Sequence, residues 1–333
     1  MSSPDEVYTQ PLGLDVGTSR IVVARSAGKK YEYAAQLNAF VTLPYSKLAE
    51  SLLQREGMFH EVSGNELVVA GDDAEKLAEV FHVETRRPMR DGVLNPQEPH
   101  ALQVVGRIIS RLLGKATEDG QKVAFSVAAP AGGNHGGIRY HQESIRQILK
   151  ELGYQATPIE EGLAVVFGEL AESSFSGIGI SCGSGLCNVC LAVLSVPVMS
   201  FSIPQAGDFI DAQAALVTGD LATRLRVEKE HSFRLNGMSG DRVHDALTVY
   251  YDEVIQNLVG KLKEGISSAQ KLPKLNQAIP LVLAGGSVMP RGFLEHFTAA
   301  LKANELPVKL SEIRVAADPL NSTARGALMA ALC

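Results

Sequence analysis

The chain has no surplus of positive charge, no apolar leader and few cysteines, and each shortage closes off a class of function. Its formal net charge is −6 and its lysines and arginines are scattered. General nucleic-acid binding, which requires many phosphates to be neutralised, is therefore excluded. Arg86, Arg87 and Arg90 form the single local basic cluster. The opening MSSPDEVYTQ is polar and acidic, unlike a signal peptide or an amphipathic membrane helix, so a cytoplasmic protein without membrane contact is expected. No charged residue occurs between Glu172 and Asp208, a length that would cross a bilayer. The turns at Ser174–Gly177 and Gly183–Gly185, with Pro197 and Pro204, cut this stretch into short buried strands instead. Of the four cysteines, Cys182, Cys187 and Cys190 show a C-x4-C-x2-C spacing found in some iron–sulfur proteins. The favoured reading is reduced thiols packed as small apolar fillers, with Cys333 a fourth ligand only if the end of the chain folds back.

What remains is an ordinary globular composition, with 45% hydrophobic and 20% charged residues over 333 positions, enough for two domains. The most informative stretch is Leu12 to Arg25, LGLDVGTSRIVVAR. Two apolar runs meet at Gly17-Thr18-Ser19, where small residues let backbone N–H groups approach an anion, and Asp15 ends the first run where it would face a phosphate-bound metal. Asp and Gly are also common in plain hairpins, so this motif alone is ambiguous.

The chain continues with a strand at Tyr31–Leu37, a helix near Lys47–Gln54, a strand at Glu66–Ala70 and a turn at Arg90–Val93. A long amphipathic helix from about Glu98 to Leu113 precedes the strand Lys122–Ala129, the glycine-rich loop Pro130–Gly137 and a helix near His141–Leu152 that stops at Gly153. The second half repeats the plan: a helix at Gly162–Ala171, a hairpin at Gly177–Leu194, a strand to Phe201, and a helix opened by Gly207-Asp208. Helices at about His244–Gln270 and Gly292–Ala303 flank the strand Ile279–Ala284. Strand hairpin, crossover helix, strand and loop, twice over, indicate a two-domain α/β protein with its ligand in the cleft between them.

Three glycine-marked turns follow apolar strands: Gly17-Thr18-Ser19 after Asp15, Gly183-Ser184-Gly185 after Ser181, and Gly285-Gly286-Ser287 after Ala284. In this order the turns resemble those of the actin-like ATPase superfamily, and within it the bacterial actins of the MreB and MamK type. The resemblance covers nearly the whole chain. It includes Arg87-Pro88-Met89-Arg90-Asp91-Gly92-Val93, Ile159-Glu160-Glu161 with Ala164, LVLAGGSVMPRGF from Leu281 to Phe293, and Ala317-Asp318-Pro319-Leu320 with Arg325-Gly326-Ala327. It implies an actin-like fold of two duplicated ribonuclease-H-like α/β domains around a nucleotide cleft. The first domain would take residues 1–153 and 318–333, with an outer subdomain at about 32–80. The second would take 154–317, with a shortened outer subdomain at about 213–259.

The resemblance also implies ATP or another purine nucleotide with Mg²⁺, the metal near Asp15, catalysis by Asp15 and Glu161, and adenine against Gly285, Gly286 and Ser287. The phosphates would lie on Gly17, Thr18, Ser19, Ser181, Gly183, Ser184 and Gly185. Gly207 and Asp208 would help position the nucleotide, although the favoured reading of Asp208 is the helix N-cap. Asn134, His135 and Glu143 lie in or after the loop where relatives keep a water-positioning residue. Several positions depart from the family pattern. Ser181 and Asn188 replace two carboxylates of the second phosphate hairpin, Gly162 replaces a proline, and Thr223 and Arg226 replace an acidic nucleoside contact and a lysine. Phosphate binding is expected to survive these changes while hydrolysis slows. The expected function is a filament-forming actin-like protein whose partners are itself, joined head to tail, and a protein cargo or adaptor. The competing readings are a non-polymerising nucleotide-responsive scaffold and, less well supported, a sugar kinase.

Overall fold

The computed structural model describes residues 10–28, 30–130, 135–269 and 277–332. The chain opens with β1 (Leu12–Val16), β2 (Arg20–Ala27) and β3 (Lys30–Leu37), then builds an outer unit from β4 (Phe40–Pro44), α1 (Lys47–Arg55), β5 (His60–Ser63), β6 (Glu66–Ala70) and α2 (Asp72–Phe81). A tight hairpin of β7 (Met89–Arg90) and β8 (Val93–Leu94) leads to α3 (Ala101–Leu113), β9 (Gln121–Val127), α4 (His135–Glu151) and β10 (Tyr154–Glu160). The second half runs α5 (Glu161–Glu169), β11 (Gly177–Cys182), β12 (Cys187–Val193), β13 (Val196–Ile203), α6 (Gly207–Thr218), α7 (Ala222–His231) and α8 (Arg242–Ser268). It closes with β14 (Ile279–Ala284), α9 (Phe293–Ala303), β15 (Leu310–Val315) and α10 (Ser322–Leu332).

Two five-stranded sheets share one topology. The first has the order β10-β9-β1-β2-β3 and the second, read in the same sense, β15-β14-β11-β12-β13. In each, a central strand pairs antiparallel with the next strand in sequence and parallel with a later one. The central strands alternate apolar residues with glycine: Leu12, Leu14 and Val16 in β1 and Ile178, Ile180 and Cys182 in β11 face separate cores. The glycines face helices. A Cβ on Gly13 would lie 2.1 Å from the Ala324 carbonyl of α10, and one on Gly179 would lie 2.4 Å from the Gly162 carbonyl of α5. The two helices also cross without room for side chains, since a Cβ on Gly326 would sit 1.7 Å from the Ala164 carbonyl. Glu169, 4% exposed, pins this crossing: its carboxylate takes Arg314 Nη1 at 2.9 Å, Ser322 Oγ at 3.1 Å and the Arg325 guanidinium. β15, α5 and α10 are thereby tied at one point where the halves meet.

Several expected boundaries shift. β3 pairs with β2 along its length, so the outer unit begins at Phe40 and not near residue 32. α3 starts at Ala101, because Glu98 is held in a turn and its carboxylate binds Arg86 at 2.7 Å. α4 starts at His135, inside the expected loop, whose residues 131–134 lie outside the described ones. The three cysteines do not converge: Cys182 and Cys187 face the second core, whereas Cys190 faces α5. The basic cluster is also dispersed, with Arg86 over the Phe40 ring, Arg87 reaching the Thr18 carbonyl and Arg90 beside Asp91. No helix among the described residues is long and apolar enough to cross a membrane.

Candidate functional site

The three glycine turns converge on one cavity of about 730 Å³ between the halves. Asp15, Gly17, Thr18, Ser19, Glu161, Ser181, Gly183, Ser184, Gly185, Gly285, Gly286 and Ser287 all line it. The first turn is closed by Gly17 N–H donating to the Arg20 carbonyl at 3.0 Å, the second by Gly183 N–H donating to the Leu186 carbonyl at 2.9 Å. The turns touch: a Cβ on Gly185 would lie 2.5 Å from Thr18 Oγ1, which accepts the Gly92 N–H at 3.2 Å. Gly285 holds φ at 93°, and a Cβ there would meet the Cys182 carbonyl at 2.3 Å, so the third turn requires glycine both for conformation and for space.

Gly207 and Asp208 do not line the cavity. Their N–H groups donate to the Gly183 and Ser184 carbonyls at 3.2 and 2.7 Å and brace the second turn from behind. The N-cap of α6 is Ala206, with no side-chain bond, so Asp208 is not a cap; it lies in the first helical turn, where its charge suits the helix dipole. Asn134 falls outside the described residues, and Glu143 pairs with Arg146. Thr223 donates to Glu84 of the first half and is not in the cavity wall, whereas Arg226 is.

Two carboxylates face the inner end of the cavity. Asp15 Oδ1 accepts Ser126 Oγ at 2.6 Å, and burial pushes its carboxyl up to about 6 against the pull of that bond. Glu161, the first residue of α5, is pushed up to about 8 by burial and then by the Asp15 charge. Ser181 Oγ donates to Glu161 Oε2 at 3.0 Å and the nearby Asn188 amide opposes the shift, while Asn188 Oδ1 accepts the Ala129 N–H at 2.9 Å. Burial and their mutual repulsion thus disfavour the two carboxyls being charged at once. Glu160 does not line the cavity, and its charge helps burial to raise the Cys190 thiol.

The opposite wall carries Arg226 together with Lys229 and Asp211, two residues that the sequence reading missed. Lys229 Nζ lies 2.7 Å from Asp211 Oδ1 and donates to the Gly207 carbonyl at 3.1 Å, with both side chains nearly buried. Burial raises the Asp211 carboxyl and Lys229 lowers it. Arg226, 3% exposed, bridges the halves by binding Glu75 of α2 and Glu230, while Arg20 lies 3.8 Å from Glu230. The available sequence signal was the second acid, Asp211, in the otherwise apolar α6.

The buried Ser184 hydroxyl has no partner among the described residues and lies in the cavity wall. It is an open donor at a turn of backbone amides, the arrangement that suits a phosphate oxygen. One carboxylate held by a serine, beside a phosphate cradle, also fits Mg²⁺, which takes one or two carboxylates plus phosphate oxygens and waters. Two matched sheets, a cleft between them and three glycine turns at strand ends define an actin-like superfamily protein. A family model described as Volactin matches residues 11–331, and the chain belongs to that family. Among curated relatives, the actin-like protein MamK of Magnetospirillum gryphiswaldense is 21% identical, over 95% of this chain and 87% of its own length. Among solved structures, a MamK double helical filament superposes with a TM-score of 0.74 at 18% identity, covering 97% of this chain and 98% of the other. MreB5 of Spiroplasma citri bound to AMPPNP gives 0.67 at 15% identity, covering 95% and 94%.

Proposed function

We propose that the chain binds ATP or another purine nucleotide with Mg²⁺ in this cleft, hydrolyses it slowly, and assembles head to tail into filaments in the cytoplasm. The observation that carries the reading is the convergence of three glycine turns on one cavity whose wall keeps an unpartnered Ser184 hydroxyl. The similar structures support it, since they include a MamK filament and AMPPNP-bound MreB5. The domain boundaries proposed with it are 1–153 plus 318–333 and 154–317.

In this reading the amides of the first two turns hold the phosphates and Gly285, Gly286 and Ser287 face the adenosine. Asp15 would hold Mg²⁺, which neutralises charge on the phosphate oxygens when bound. Glu161, in its charged form, would accept a hydrogen bond from water and orient it; Ser181 fixes the Glu161 carboxylate but carries no charge of its own. The lost carboxylates at 181 and 188 leave a single side chain for this task, which is the reason for slow turnover. Exposed apolar residues, Val80 and Phe81 of α2 and Leu216 of α6, offer surface for contact between copies.

High-speed pelleting with Mg-ATP, with Mg-ADP and without nucleotide, followed by electron microscopy, tests the proposal. Nucleotide-dependent filaments are expected. Protein that binds nucleotide yet stays in the supernatant under all three conditions would overturn the filament and favour the scaffold, the reading to which the neutral second turn lends weight.

A further inference from the structure

Every cation along the inner cleft is matched by a carboxylate: Lys229 by Asp211, Arg226 by Glu75 and Glu230, and Arg20 by Glu230. Arg234 and Arg291 break this rule. Both line the cavity and both are exposed, and among the described residues neither guanidinium has an ion pair or hydrogen bond.

Their closeness is built into the backbone. The two residues form a parallel bridge, which puts their side chains on the same face with Cα atoms about 5 Å apart. Leu235 N–H donates to the Arg291 carbonyl at 2.8 Å, and His244 Nε2 holds the Arg234 carbonyl at 2.9 Å. Gly292, with φ at 97°, packs so tightly that a Cβ would lie 1.9 Å from the Leu235 carbonyl. Phe233 and Leu235 anchor one strand of the bridge in the core, and Phe293 anchors the other. The fold thus holds two like charges side by side on a rigid mount, at a cost that an anion would relieve.

Arg291 lies four residues beyond Ser287 of the third glycine turn, so the pair belongs to the nucleoside side of the cleft and not to the turns of the 5′ phosphates. Two guanidinium forks on one face suit a phosphate group. We propose that Arg234 and Arg291 form a second anion subsite, and that the ligand carries a phosphate remote from its 5′ chain, either on the ribose or as the link to a second nucleoside. This rests on the nucleotide reading of the cleft.

The test is calorimetric titration of the full chain with AMP, adenosine 2′,5′-bisphosphate, adenosine 3′,5′-bisphosphate and the 5′-phosphorylated dinucleotide pApA, with ADP as control. At least one ligand carrying the extra phosphate should bind about tenfold tighter than AMP, an advantage that shrinks with added salt. The ratio should fall toward one in R234Q and in R291Q, and R291K should keep part of it. Equal affinities for AMP and all three phosphorylated analogues, with ADP binding intact, would overturn the subsite alone. Failure of ADP itself to bind would overturn the nucleotide reading and the subsite with it. The arms separate a ribose phosphate from a dinucleotide link.

Discussion

Asp15 and Ser181 occupy equivalent places in the two halves, each two residues before the first glycine of its turn and each on the central strand of its sheet. Their neighbours differ in step. Beside Asp15 stands Ser126, which donates to its carboxylate, whereas Ser181 is aligned with Ala284 on one side and Asn188 on the other. The duplicated frame keeps the backbone cradle in both turns, since each begins with a glycine N–H bonded three residues on. It keeps the charge in one. Phosphate binding depends on backbone geometry and tolerates divergence of side chains, while metal and water chemistry depends on carboxylates, which in the proposed function leaves it to Asp15 and Glu161.

Removing the remaining charge should do the most damage. Asp15→Asn is expected to lower Mg²⁺-dependent phosphate release by about a thousandfold and to make nucleotide binding insensitive to Mg²⁺, as a titration with and without EDTA would show. Glu161→Gln should lower phosphate release by about a hundredfold with binding retained, the scale of a lost proton acceptor.

The pH response should separate the two turns next. Asp15 and Glu161 have native values raised from 3.8 and 4.5 to about 6 and about 8. Their contribution to stability is complete below the ordinary carboxylate range and is lost as pH climbs through 6 and then 8. The melting midpoint of the nucleotide-free protein should therefore fall between pH 5 and pH 9. Mg-nucleotide, which favours the charged pair, should flatten the fall, and Glu161→Gln should remove most of it. The neutral second turn adds nothing to this slope. The smallest effect belongs to the bridge over the cleft: Glu75→Gln frees Arg226 from one of its two partners and should speed release of a fluorescent nucleotide about two- to fivefold.

The legible parts of the molecule were those whose reason is local. Gly17, Gly185 and Gly285 could be read because each turn needs glycine where a Cβ would meet a neighbour within 2.7 Å, and β6 and β14 because their apolar runs are short and sharply bounded. β10 was not read, since its sequence YQATPIE contains Pro158; the strand lies at a sheet edge, where a missing N–H is tolerated. α7 was missed because its charges show no apolar stripe. Asp208 was singled out because it follows Gly207 directly, and Asp211 was not considered. Only the packing of α6 against α7 reveals that Asp211 meets Lys229 in the cavity wall while Asp208 braces the turn from outside it.

The most direct test of the contrast between the turns is phosphate release by the wild-type protein and Ser181→Asp, measured side by side with saturating Mg-ATP and with nucleotide affinity determined for both. Release about tenfold faster in Ser181→Asp, with affinity within a fewfold of wild type, is the predicted result. Equal rates would contradict the claim that the missing carboxylate of the second turn is what slows hydrolysis.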